Sequence, residues 1–207
     1  MEDTYPMDTS GYTAFAGETR IASGEVSTML LGVKRCLDAG ETRPILIFED
    51  LTGMQVDFNL RGTPEEILAN LSVHPHLVQA DNPLSQNPGP GRPKLGVIGR
   101  EVSLLPRHWE WLNRQPSGAS AAIRRLVDEA RKQNAARDRA RQARDAAAKF
   151  MWAIAGNRPG FEEASRALYA KNRDRFNALT EAWPEDIREY LHRLVDTAEN
   201  LEHDTGT

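Results

Sequence analysis

The chain has 207 residues, 40% of them hydrophobic and 27% charged, with a formal net charge of −4 and a single cysteine. This is the composition of a globular chain of one or two domains, and no apolar run approaches the ~20 residues of a bilayer span. The acidic start "MEDTYPMDTS" lacks the basic and apolar regions of a signal peptide, so a cytoplasmic protein without membrane attachment is expected.

The net charge conceals an asymmetry. Residues 1–87 carry 5 Lys+Arg against 13 Asp+Glu, residues 88–145 carry 13 against 6, and residues 146–207 carry 8 against 11. A basic middle between acidic ends attracts polyanions.

In chain order, "YTAFAGETRI" at 12–21 alternates around Gly17 and predicts a short hairpin. Ser23 is placed to cap a helix in which Val26, Met29, Leu30, Val33 and Leu37 recur at helical spacing, with Gly40 ending it. Cys36 lies in that pattern and reads as a small buried hydrophobe. "PILIF" at 44–48 predicts a buried strand, and the alternation of "MQVDFNL" at 54–60 predicts another. Thr63-Pro64-Glu65-Glu66 opens a helix to about Leu71, with Thr63 as N-cap and proline at the first position. From Ser72 the pattern stops, and Pro75, Pro83, Pro88, Pro90 and Pro93 forbid a continuous helix.

Beyond that stretch, Val102 and Leu104, with Leu105, predict a very short strand. Pro106 starts a helix with Trp109 and Leu112 on its core face, and Pro116-Ser117-Gly118 breaks it. A second helix begins near Ser120 and buries Ile123, Leu126, Val127 and Ala130. Ala136, Ala140, Ala143, Ala147, Met151 and Ile154 extend it as a thin seam until Asn157-Arg158-Pro159-Gly160. Asp138 within this basic run can pair with Arg141 or Asn134. Two more helices, 161–181 and 185–200, form an αα-hairpin with its corner at Trp183-Pro184.

The fold class expected is therefore α+β. Residues 1–71 form a small N-terminal module, 72–99 a linker and basic arm, 100–156 a strand-helix-helix segment with an extended second helix, and 157–207 a C-terminal helical hairpin and tail.

The order "EVSLL", "PRHWEWL", "PSGAS", "AAIRRLVDEA" across 100–132 resembles the ribbon-helix-helix family of bacterial DNA-binding proteins. That resemblance implies an intertwined homodimer whose paired strands enter the major groove of double-stranded DNA, with the second helix's N-terminus on a phosphate. It implies DNA contacts from Arg100, Ser103, Gly118, Ala119, Ser120, Arg124 and Arg125. It implies a dimer interface of Val102, Leu104, Trp109, Ile123, Leu126 and Val127. One five-residue strand cannot form a sheet alone, and free amides at a helix start point at anions. Arg92 and Lys94 of "PGPGRPKLG" add a basic arm beside the strand.

Over nearly its whole length the chain also resembles a bacterial family of unknown function. The parallels are "TAFAGETRIASG", "PILIFEDLTGMQVDFNLRG", "GRPKLGVIGREVSLLPRHWEWLNRQPSGASAAIRRLVDEAR" and "RFNALTEAWPEDIREYL". That family carries no activity across to this chain.

No hydrolase, metalloprotease or phosphate-loop motif is present, so catalytic, cofactor and metal residues are expected to be none. His74 and His76 lack ligand partners at metal spacing and read as loop histidines, and Glu49-Asp50 read as turn acids. The expectation is a dimeric DNA-binding transcriptional regulator. Glu101 and Leu105, on the strand face that would read bases, favour the alternative. That is a non-enzymatic scaffold in which the ribbon only dimerises the chain and the N-terminal module or C-terminal hairpin binds another protein.

Overall fold

A computed structural model describes residues 11–80 and 100–203. Arg92, Lys94 and the rest of the "PGPGRPKLG" arm lie outside the described residues. The class is α+β, as the sequence indicates, and the chain divides into two compact units: Met1–Leu77 with Ala136–Thr207, and Val78–Ala135.

The first unit is built on a three-stranded antiparallel sheet of order β2-β1-β3, with β1 at Tyr12–Ala16, β2 at Thr19–Gly24 and β3 at Ile45–Glu49. All five residues of the central strand are buried, because helices cover both faces of the sheet. On one face Tyr12, Ala14 and Ile47 pack with Met29, Leu30 and Val33 of α1 (Val26–Asp38) and with Ile67 of α2 (Pro64–Ala69). On the other, Phe15 and Phe48 share a core with residues of the later helices α5 (Gly118–Ala155), α6 (Phe161–Tyr169), α7 (Arg173–Thr180) and α8 (Glu185–His203). Four rings centre that core. Phe150 lies 5.2 Å from Phe15, 4.9 Å from Phe48 and 4.5 Å from Tyr190. The α5 seam is thin because Ala140, Ala143, Ala146 and Ala147 are all buried, so other elements approach the helix closely.

Several local signals act as expected. The 12–21 hairpin forms around Gly17. Gly40 (φ +98°) ends α1, its N–H bonding Leu37 O while the N–H of Glu41 bonds Cys36 O. These two bonds satisfy carbonyls that the helix end would leave open. Thr63 caps α2 with a reciprocal capping box to Glu66.

Other expectations are corrected. Ser23 belongs to β2, and Glu25 takes the N-cap of α1 without a side-chain bond. The strand expected over 54–60 reduces to one bridge, Phe48 with Gln55, because the chain turns tightly at 50–53 and pairs with β3 only as far as the Val56 N–H to Ile47 O bond. Beyond Ser72 the chain is not pattern-free. A 3-10 turn (Asn70–Val73) leads to a short helix α3 (Pro75–Ala80), since proline is compatible with a first helical turn. Cys36 is half-buried rather than fully buried.

The helix expected over 161–181 is two helices. Lys171 adopts φ +56°, its N–H bonds Leu168 O, and the Asn172 N–H bonds Ala167 O. This is the same terminator as at Gly40, built here without glycine. Asn172 then caps α7 by accepting from the Arg175 N–H.

The second unit contains α4 (Pro106–Asn113) and residues 118–135 of α5. Pro106 opens α4 at its first turn, as expected. No strand forms over 100–105, because no other described strand pairs with this segment. Leu112 and Ala122 are buried. Trp109, expected in the core, is exposed, as are Leu126, Val127 and Ala130, and Ile123 is half-buried. Within one chain, these apolar positions have too little around them to be covered.

Candidate functional site

The residues singled out as DNA contacts fall into three groups. Arg92 and Lys94 lie outside the described residues. Arg100 and Ser103 are exposed, together with Glu101, on the irregular segment before α4. Gly118, Ala119 and Ser120 start α5, but the Gly118 N–H is donated to Gln115 O at 3.0 Å and is not free for an anion. Arg124 and Arg125 are exposed one turn later. Arg125 lies 3.9 Å from Glu129, whereas Arg124 has no ion pair among the described residues. Further along α5, Arg141 pairs with Asp138 at 2.9 Å, one of the two partners anticipated for that aspartate.

The expected dimer-interface residues are apolar side chains without cover. Val102, Trp109, Leu126 and Val127 are exposed, and Leu104 and Ile123 half-buried. Leu105 and Trp111 are exposed beside them. Burying such surface is worth roughly 25 cal/mol per Å², so a partner surface would be held here mainly by apolar contact.

A second cluster sits at the end of β3, where the sequence shows only adjacent acids. Asp50 Oδ1 accepts from the Thr13 hydroxyl at 2.8 Å and from the Tyr190 hydroxyl at 2.8 Å. Its Oδ2 faces Arg193 Nη2 at 3.3 Å, and the same Nη2 donates to Thr13 Oγ1 at 3.0 Å. The Arg193 guanidinium also lies 4.8 Å from the Tyr190 ring centre, within cation–π range. Burial, and then the Asp50 charge, push the Tyr190 phenol well above its ordinary range, so it is held protonated as a donor.

Glu49, next along, accepts from the Thr52 hydroxyl and lies 3.5 Å from His76 Nε2. Tyr12, edge-on to His76, has its phenol raised to about 12 by burial and then by the Glu49 charge. His74 Nε2 meets Asp57 O at 2.9 Å, and the ring stacks on Phe58. The two histidines therefore serve local packing and hydrogen bonding. Among the described residues no group of three or more His, Cys, Asp or Glu side chains is disposed to hold a metal ion. The Asp50 cluster is a set of donors directed at one carboxylate, an arrangement that fixes α8 to the sheet.

Sequence reasoning missed the link from Asp50 to Tyr190 and Arg193. Its one trace is that Tyr190, Leu191 and Leu194 fall on one helical face, which marks burial but not a polar partner 140 residues away.

A three-stranded sheet covered by helices, joined to a smaller unit with uncovered apolar surface, defines an α+β protein with a candidate interaction segment. Residues 11–195 match the family described as "Uncharacterized protein conserved in bacteria (DUF2239)", and the chain belongs to that family. No curated protein matches the chain, and no solved structure matches it. Among the described residues no helix is long and apolar enough to cross a membrane.

Proposed function

We propose that the chain is a non-enzymatic, homodimeric DNA-binding protein of the cytoplasm that regulates transcription through residues 100–132. The observation that carries this reading is the exposure, in one short unit, of Val102, Leu105, Trp109, Trp111, Leu126 and Val127, next to the exposed Arg124 and Arg125. A second copy would cover the apolar side chains and double the number of cations presented to a polyanion. Segment 100–105 would gain from that copy the strand partner it lacks in one chain. Arg92 and Lys94 would add phosphate or minor-groove contacts that contribute affinity but little sequence information.

The test is the solution mass of the full chain, with and without random duplex DNA, across a salt series. A dimer whose DNA affinity falls steeply with salt is expected, as counterion release requires. Reversing both arginines (Arg124→Glu with Arg125→Glu) should abolish binding at about 0.1 M salt. Unchanged binding by that variant rejects the reading.

A second reading is favoured by Glu101 and Leu105, both exposed on the segment that would face the bases. Here the segment dimerises the chain only, and the N-terminal module or the C-terminal helices recruit another protein. A dimer without duplex affinity at low salt is the outcome that selects it.

A further inference from the structure

Trp152 is 73% exposed, the most exposed large apolar side chain among the described residues. It stands off the buried α5 seam, tilted against Phe161 at 5.9 Å. It also walls a cavity of about 560 Å³ at the C-terminal end of α5, lined further by Ile154, Asn157, Arg158, Pro159 and Glu18 of the β1–β2 turn. That volume is within the range of small-molecule sites.

The polar groups of this cavity are few and of both signs. Arg158 and Glu18 are ion-paired through Nη2 and Oε1. Arg158 Nε is buried and has no hydrogen-bond partner among the described residues. A buried charged donor left without an acceptor is costly, and such a group calls for a ligand, water or ion. A purely anionic ligand reaching Arg158 meets the Glu18 carboxylate, and a purely cationic one reaching Glu18 meets the guanidinium. A ligand carrying both charges a few bonds apart satisfies both. The Trp152 indole, with Ile154 and Pro159, offers an apolar wall for the rest of it.

We propose that this cavity binds a free α-amino acid with an apolar side chain, its carboxylate on Arg158, its ammonium on Glu18 and its side chain against Trp152. The site lies wholly within the first unit and does not rest on the DNA-binding reading.

Calorimetric titration of the full chain with L-phenylalanine and L-leucine tests this. Saturable one-to-one binding of at least one of them is expected, weakened about tenfold or more when the ammonium is capped (N-acetyl-L-phenylalanine) or the carboxylate is capped (L-phenylalanine amide). Trp152→Ala, at an exposed position, should weaken binding about tenfold without altering the melting temperature. Glu18→Gln should weaken phenylalanine while strengthening the N-acetyl derivative, because the carboxylate that repels an anion is removed. This reversal keeps the test decisive even where Arg158→Gln fails to fold. No saturable heat with either amino acid up to about 10 mM overturns the proposal. So does equal affinity for the doubly capped N-acetyl-L-phenylalanine amide, or binding that survives Trp152→Ala unchanged.

Discussion

Tyr190 donates its hydroxyl to Asp50 Oδ1 at 2.8 Å across 140 positions of sequence, joining the middle of α8 to the end of β3. Thr13 shares the same acceptor oxygen, and both Tyr190 and Thr13 are fully buried. Tyr190→Phe removes one donor to a carboxylate and should cost about 1.5–3 kcal/mol. Asp50→Ala should cost more than Tyr190→Phe, because it leaves the buried phenol without an acceptor and removes Thr13's carboxylate partner. Arg193 is 44% exposed at its side chain, so its ion pair with Asp50 should contribute no more than about 1 kcal/mol. Urea unfolding of the three single variants and the Asp50–Tyr190 double-mutant cycle gives these values. A coupling energy near zero would mean that the hydrogen bond does not hold the helix to the sheet.

Alkaline pH should unfold the protein through its tyrosines. Burial raises the phenols of Tyr12, to about 12, and of Tyr190, so the native state keeps protons that the unfolded state releases near the ordinary value of 10.0. The native advantage is complete below pH 10 and is lost as pH rises from about 10 through about 12. Absorbance titration of the native protein should show these phenols ionising late and together with loss of helix. In a Tyr12→Phe variant the melting temperature should fall less steeply across that window. An unchanged slope would place the alkaline sensitivity elsewhere.

Gly53 is required by position as well as by conformation. Its φ is +64°, and a Cβ built there would lie 2.2 Å from Ala146 O of α5. The backbone of the turn after β3 therefore rests directly on the helix, where Lys149 Nζ also reaches Thr52 O at 3.2 Å. Gly53→Ala combines a left-handed conformation with a clash against main chain that cannot rotate away. A loss of about 3 kcal/mol or more is expected. Gly40→Ala, at a positive φ with nothing within 4 Å, should cost only the conformational part, about 1–2 kcal/mol. Thermal unfolding of the pair separates contact from conformation, and equal losses would exclude the contact.

What was legible in the sequence follows from what is local. Thr63-Pro64-Glu65-Glu66 carries a complete cap in four letters, and the spacing of Ala136, Ala140, Ala143 and Ala147 carries a helical face. The break at Lys171 was not legible, because a left-handed terminator normally uses glycine and here a lysine takes its place. The alternation of "MQVDFNL" was misleading for the opposite reason. It has the period of a strand, but the chain beyond Val56 forms no further pairing with β3. The pairing of Phe15 and Phe48 with Phe150 and Tyr190 depends on which helices cover the second sheet face, and no local pattern states that. The Asp50 cluster was invisible in the same way, since its donors come from three separate elements.

The exposed apolar side chains of 102–127 and the buried rings of the first unit should respond oppositely to substitution. Phe150 is fully buried among Phe15, Phe48 and Tyr190, and Phe150→Ala should cost about 3–5 kcal/mol at any protein concentration. Leu126 and Val127 are 42% and 50% exposed, so Leu126→Ser with Val127→Ser removes little that one chain buries. In a monomer the change should stay within about 0.5 kcal/mol. If two copies cover these residues, the melting temperature of the unsubstituted protein rises with protein concentration, and the double variant loses that dependence along with its dimer mass. Calorimetry over a hundredfold concentration range, with light scattering on the same samples, is the measurement. A melting temperature independent of concentration in the unsubstituted protein would leave the apolar face for another partner and remove the homodimer from the proposed function.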